Sequence, residues 1–301
     1  MALKDYNKAF RYGKKEYESR LLAGRKPTLE SLDEILPDEA LSTESLGLVQ
    51  IPIDQIVGTR YSGRSSAFAS NFMPILESNT EFAIKWAKLS TSHEKEGIHE
   101  PIKAWEYMNK FYVEEGNKRV SVMKFFGAIS IPGTVTRILP KKTNDKNVKV
   151  YYEFVNFYRV SKVNYITFSE EGQYAQLIKE MGKHPDEYWT DDDRLIFSSV
   201  YARFTAAFHA HGGQELEVSS AEAFLSFLHL YSYKRVEEMS VEDIDKIVKI
   251  AKVLFTKGYT FRYSADKRDM VGSAVAKLEN AKLDEQVQFA ILEVLKQNNV
   301  K

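Results

Sequence analysis

A glycine set between two acidic and two basic side chains is the feature of this sequence that most directly predicts chemistry. Residues 114–119 read EEGNKR and stand between a strand-like run and a helix-like run. Gly116 has no Cβ, so the backbone and a ligand can approach closely there. The first N–H groups of a helix and its dipole both favour an anion. The segment therefore predicts an anion site to which Lys118 and Arg119 add positive charge, and a guanidinium can hold a phosphate in a fork.

The same cations have a second interpretation. Positive side chains at a helix N-terminus oppose the dipole, so they need either an anion or a structural partner. Glu114 and Glu115 are the nearest such partners, and a surface cluster of these charges would satisfy Lys118 and Arg119 without any ligand.

Strands and helices of an α+β domain are predicted around this segment. Alternation of apolar residues indicates strands over 102–107 and 110–114, and a helix over 117–126 is closed by Gly127. An earlier helix starts after Asn79 and Thr80 and ends at Gly97. A short strand is expected over 49–53, with two more near 133–139 and 149–157.

Helices alone are predicted in the second half of the chain. Thr190, Ser219 and Ser240 are N-cap residues placed before apolar helical stripes, and a last helix is expected over 284–297. We therefore predict three segments. They are a basic N-terminal helix with an acidic linker (1–47), a mixed-sheet domain (48–160) and an all-helical domain (161–301).

The N-terminal helix has an apolar stripe at helical spacing, formed by Tyr6, Phe10, Tyr17 and Leu21. It either packs on the body of the protein or docks onto DNA phosphates, a membrane surface or an acidic partner.

Composition excludes several classes of protein. The 301 residues contain no cysteine, so disulfide scaffolds, thiolate zinc sites, iron–sulfur clusters and cysteine nucleophiles are excluded. Basic and acidic residues number 42 each, which argues against a uniformly basic, nucleic-acid-coating surface. No apolar run is long enough to span a membrane and no signal core is present, so a soluble, cytoplasmic protein is expected. His209 and His211 form a poor metal-binding pair, and no metal site is predicted.

Three short motifs resemble, in order, the boxes of the ParB/sulfiredoxin superfamily. GNKRVSVMKFFG (116–127) is similar to the third box, EGIHEPI (96–102) to the second, and IPIDQI with GTRYSGRSSAF (51–68) to the opening strand and first box. The resemblance covers roughly residues 48–140. It implies a ParB/sulfiredoxin-like mixed-sheet domain in which the three boxes line one nucleotide pocket.

The resemblance also implies a ligand and the residues that hold it. The ligand is a nucleoside triphosphate, CTP or ATP, with or without Mg²⁺. The implied binding residues are Arg64 and the third-box residues for the phosphates, and two second-box residues for the base or sugar: Arg64, Gly97, Ile98, Gly116, Asn117, Lys118 and Arg119.

Three functions follow as hypotheses. The first is a nucleotide-dependent switch, with or without NTPase activity, that engages DNA, a protein partner or a second protomer through the helical domain. The second is a small-molecule phosphotransferase with Glu115 as its catalytic base, although 56–66 lacks the further acid that this resemblance requires. The third is a non-catalytic interaction protein. Sulfiredoxin activity is excluded, because it needs a cysteine.

Overall fold

The computed structural model describes residues 2–37 and 41–251, and the chain divides into two compact units, Met1–Thr143 and Asn144–Lys301. The class is α+β, as predicted. The helix expected over 284–297 lies outside the described residues.

A mixed six-stranded sheet forms the centre of the first unit. Its strands are β1 Glu30–Ser31, β2 Ser42–Pro52, β3 Ile56–Thr59, β4 Ile102–Tyr107, β5 Lys110–Glu115 and β6 Ser130–Leu139. They lie in the order β1-β3-β5-β4-β6-β2. β1, β3 and β5 run parallel, β4 is antiparallel to β5 and parallel to β6, and β2 is antiparallel to β6.

Three helices belong to this unit: α1 Ala2–Leu22, α2 Glu81–Glu96 and α3 Asn117–Phe125. The main core contains buried residues from α1, α2, α3 and the sheet, with Trp86 of α2 fully buried. The Trp86 indole donates to Ser121 of α3 over 2.8 Å, which joins the two helices across the core. The predicted caps of α2 are confirmed, because Thr80 accepts from the Ala83 amide and Gly97 ends the helix at φ 80°.

The basic N-terminal helix is part of this unit. Tyr6 and Ala9 are fully buried, and the Tyr6 hydroxyl donates to the Leu76 carbonyl over 2.7 Å. Leu21, the last member of the predicted stripe, is instead exposed. Burial of the first two turns stabilises α1 as an integral element of the first unit.

The described part of the second unit contains six helices. They are α4 Lys146–Ser161, α5 Gln173–Glu180, α6 Asp191–Ala210, α7 Ser220–Leu230, α8 Tyr233–Glu238 and α9 Val241–Ala251. Thr190 and Ser219 form the capping boxes that open α6 and α7. Its buried positions include many aromatic side chains, among them Phe157, Tyr174, Trp189, Phe197, Phe204, Phe208 and Phe224.

The strand predicted over 149–157 was wrong, because this segment is part of helix α4. Its valines and aromatics favour a strand by propensity. The Asp145 carboxylate, however, accepts from the amides of Asn147 (2.8 Å) and Val148 (3.2 Å), which caps a helix at this point. The predicted domain boundary at residue 160 differs from the observed division after Thr143 for the same reason, since α4 belongs to the second unit.

Candidate functional site

A cleft of about 460 Å³ lies in the first unit, beside the start of α3. Its walls come from three parts of the chain: the segment after β3, helix α2 with the segment that follows it, and the first turn of α3. The lining residues are Ala67, Phe68, Phe82, Lys85, Leu89, Glu100, Gly116, Asn117, Lys118 and Arg119. The whole predicted run from Gly116 to Arg119 thus borders one concave space.

Gly116 forms the turn between β5 and α3. Its φ of 107° lies in the region that favours glycine, and a Cβ there would approach Ile102 Cγ2 to 2.6 Å. Gly116 is the N-cap residue of α3 and has no side chain with which to cap the helix. The first turn of a helix is a favourable place for an anion.

Asn117 connects this turn to the end of the neighbouring parallel strand. Its Nδ2 donates to Thr59 Oγ1 over 3.3 Å, and Thr59 in turn donates to the Val113 carbonyl over 3.0 Å. Asn117 is only 8% exposed, and its buried Oδ1 has no hydrogen-bond partner among the described residues. The cleft thus lies outside the carboxyl ends of parallel β3 and β5, where α/β sheets commonly bind ligands.

Lys118 lies against an aromatic wall of the cleft. Its Nζ is 4.7 Å from the centroid of the Phe82 ring, within the range of a cation–π contact. Lys85, one turn further along α2, also lines the cleft and pairs with Glu81 at 2.6 Å. Two ammonium groups from different helices therefore border the same space.

The Arg119 guanidinium contacts backbone carbonyls and carboxylates of the protein. Its Nη1 donates to the carbonyl oxygens of Glu100 (3.0 Å) and Pro101 (2.5 Å), and its side chain is 11% exposed. The carboxylates of Glu100 and Glu115 lie 3.6 Å and 3.5 Å from its guanidinium nitrogens. The second interpretation of the sequence, in which the cations pair with neighbouring carboxylates, therefore applies to Arg119 and Glu115. Glu114 instead accepts from the Trp105 indole over 2.5 Å.

Glu115, the predicted catalytic base, lies beside the cleft rather than in its lining. Its carboxylate is 3.5 Å from Lys103 Nζ as well as from Arg119, and the side chain is 55% exposed. Two cations of the protein therefore already contact this carboxylate.

The predicted positions Gly97 and Ile98 are not among the lining residues. Gly97 ends α2, with its N–H donating to the His93 carbonyl over 3.0 Å. Ile98 is 9% exposed and packs in the main core. Arg64 has its backbone in the 3₁₀ turn Ser62–Ala67, while its side chain lies outside what the structure describes.

Sequence reasoning missed the wall formed by α2. Phe82 and Leu89 share the helical spacing of Trp86, so the sequence predicts only that all three lie on one face of the helix. Trp86 is fully buried, whereas Phe82 and Leu89 are half-buried at the edge of the core and line the cleft. Apart from its charge, nothing in the local sequence marked Lys85 as a residue of the cleft.

The two clustered histidines make separate contacts in the second unit. His209 Nε2 lies 3.0 Å from the Ser220 hydroxyl, and His211 Nε2 lies 2.9 Å from the Asp245 carboxylate. Within residues 2–37 and 41–251, no group of three or more potential ligands could hold a metal ion. Among the helices described, none combines the length and apolarity needed to cross a membrane.

No model of a known protein family matches the chain, and no curated protein matches it either.

Proposed function

We propose that the first unit binds a nucleoside triphosphate, CTP or ATP, in this cleft, and that the chain is a nucleotide-dependent switch. One observation carries the proposal. The first turn of α3, which begins after Gly116, lines a cleft at the carboxyl ends of parallel strands, together with Lys85 and Lys118. A helix N-terminus with nearby ammonium groups is a favourable environment for phosphate.

The two kinds of surface in the cleft suit the two ends of a nucleotide. The α3 turn provides N–H groups for phosphate oxygens, and the walls formed by Phe68, Phe82 and Leu89 provide apolar area for a base and sugar. A volume of about 460 Å³ lies within the range of small-molecule sites, about 300–1,000 Å³.

Asn117 adds a polar group without a partner among the described residues. A buried acceptor is costly unless a donor reaches it. A ligand hydroxyl or amine, or a water bound with the ligand, would supply that donor to Oδ1. Arg119, by contrast, holds the carbonyls of residues 100 and 101, so we assign it to positioning the cleft wall.

Mg²⁺ bound with the triphosphate would find a carboxylate nearby. Glu100 is the acidic side chain of the lining. Magnesium is commonly held by phosphate oxygens and one or two carboxylates, so the donor set is compatible with the ion. Its contribution would be to neutralise phosphate charge.

The switch and its partner rest on the resemblance to ParB proteins. DNA, a protein partner or a second protomer is the class of partner it implies for the helical unit. If the chain is a switch, its affinity for that partner depends on the bound nucleotide, since a ligand shifts an equilibrium only by binding two states differently.

Equilibrium binding of labelled CTP and ATP to the full chain tests the proposal. We expect saturable binding of at least one nucleotide by the wild type and its loss in Lys118→Glu, which reverses a charge in the lining. Lys88→Glu is the matched control, because Lys88 is exposed on α2 and does not line the cleft. Absence of binding of every nucleotide by the wild type, or equal loss in both variants, contradicts the proposal.

Binding is better supported than phosphoryl transfer. Glu115 is outside the lining, and its carboxylate already contacts two cations of the protein. Product analysis with bound nucleotide and hydroxyl metabolites distinguishes the two functions, since only a phosphotransferase yields a phosphorylated metabolite.

A further inference from the structure

A carboxylate of α2 is ion-paired with one of the two cleft lysines. Glu81 Oε1 is 2.6 Å from Lys85 Nζ in the same helix, with both side chains largely exposed. The hydrogen bond from Lys85, followed by its charge and the charge of Lys118, holds the pKa of Glu81 below its usual value. Glu81 is therefore the ion-pair partner of Lys85, and its charge is also stabilised by that of Lys118.

The two ammonium groups differ from the α3 turn in what they can bind. The backbone N–H groups of the turn are fixed and serve one phosphoryl group. Lys85 and Lys118 are on flexible stems at the edge of the same cleft, with Lys118 resting over Phe82. Lysine is a mobile point charge with three donors, well suited to the additional oxygens of a polyphosphate.

We propose that Lys85 and Lys118 form a clamp for the terminal phosphates of the nucleotide, and that Glu81 is the internal anion which those phosphates displace. The inference rests on the proposed nucleotide binding and makes the site selective for triphosphates over monophosphates. A monophosphate held at the α3 turn leaves Glu81 paired with Lys85. A triphosphate carries enough additional charge to replace the carboxylate at the ammonium groups.

The clamp is tested by comparing mono-, di- and triphosphates of the nucleotide that binds the wild type. Lys85→Gln keeps most of the side-chain length and removes the charge. We expect it to weaken triphosphate binding about tenfold, the effect of losing one charge-assisted contact, and to change monophosphate binding less than about twofold. Lys88→Gln, the control on the same helix, leaves all three affinities unchanged.

Glu81→Gln is expected to change the triphosphate affinity in the opposite direction. Removing the competing carboxylate is expected to raise triphosphate affinity about threefold at low salt, with a smaller gain at high salt because screening weakens exposed charges. Glu94→Gln, an exposed carboxylate further along α2, is the matched control and leaves affinity unchanged. Circular dichroism melting of each variant verifies that α2 remains folded.

The outcomes separate this inference from the proposed function. If the wild type binds triphosphate and monophosphate equally, or if Lys85→Gln weakens both to the same degree, the clamp is overturned while nucleotide binding stands. If Glu81→Gln leaves triphosphate affinity unchanged or lowers it, the displacement is overturned. If no nucleotide binds the wild type, both the clamp and the proposed function fail.

Discussion

Asn117 donates its Nδ2 hydrogen bond to Thr59 Oγ1 over 3.3 Å, which joins the first residue of α3 to the last residue of β3. The donor and acceptor are 58 positions apart in the chain. The bond fixes the start of α3 over the carboxyl end of a parallel strand. The position of the cleft therefore depends on a buried polar contact as well as on apolar packing.

Thr59→Val tests this contact. Valine has nearly the shape of threonine but cannot accept from Asn117, so a buried amide donor loses its partner. We expect a loss of about 1–2 kcal/mol in the free energy of unfolding, measured by urea denaturation, together with weaker nucleotide binding. Thr134→Val, at an exposed position of β6, serves as the control and leaves both quantities close to wild type.

Gly116→Ala is expected to be strongly destabilising. Alanine would have to adopt a φ of 107°, and its Cβ would lie 2.6 Å from Ile102 Cγ2. We therefore expect a loss of about 2–4 kcal/mol in the free energy of unfolding. Gly127→Ala is the comparison, because its φ is 71° and no atom lies within 4 Å of the position that an added Cβ would take, so only backbone strain of about 1 kcal/mol applies. Denaturation showing equal losses for the two variants would rule out the contribution of Ile102.

Arg119→Ala is expected to lower stability as well as binding. The guanidinium satisfies the Glu100 and Pro101 carbonyls, and loss of these charge-assisted bonds costs about 1–3 kcal/mol. Lys118→Ala, whose ammonium lies over Phe82, is expected to weaken binding with a smaller change in stability. Thermal melts and binding isotherms of both variants check this, and a wild-type melting temperature in Arg119→Ala would contradict the positioning role.

Arg137 and Glu106 form a buried ion pair between the parallel strands β6 and β4. Their side chains are 2% and 1% exposed. Removing one partner leaves a buried charge, so Arg137→Leu is expected to destabilise the chain by about 3–5 kcal/mol. The double variant with Glu106→Leu should lose less than the sum of the two single losses, and additive losses in a double-mutant cycle would argue against coupling.

Glu16 makes the attachment of α1 dependent on pH. The hydrogen bond from Ser70 (2.6 Å), followed by that from Arg20 (2.9 Å), lowers the pKa of Glu16 from its ordinary 4.5. A carboxyl whose pKa is lower in the folded state contributes stability above its unfolded pKa, and that stability is lost as the pH falls through the folded value. We therefore expect the wild type to lose more stability than Glu16→Gln between about pH 6 and about pH 3. Denaturation curves at both pH values measure this, and equal losses would refute it.

Elements whose signals are local could be predicted from the sequence. Thr80, Ser219 and Gly97 mark helix ends because their side chains or backbone angles satisfy neighbouring amides and carbonyls. Gly116 marks the turn for the same kind of reason, and the α+β class follows from such signals taken together. The strand predicted over 149–157 failed where propensity and capping disagreed, and the cap of Asp145 is consistent with the helix.

The packing of helices and strands sets which side chains meet. Phe82 and Lys85 of α2 face Lys118 of α3 because two helices pack on one sheet, and no spacing along the chain encodes that approach. Tertiary packing also sets the partners of Arg119, which are carbonyl oxygens of a distant segment as well as nearby carboxylates. Every residue has carbonyls, so sequence alone does not single out those that accept. The turn from Gly116 to Arg119 could thus be predicted from the local sequence, whereas the cleft around it forms only through packing of the helices and the sheet.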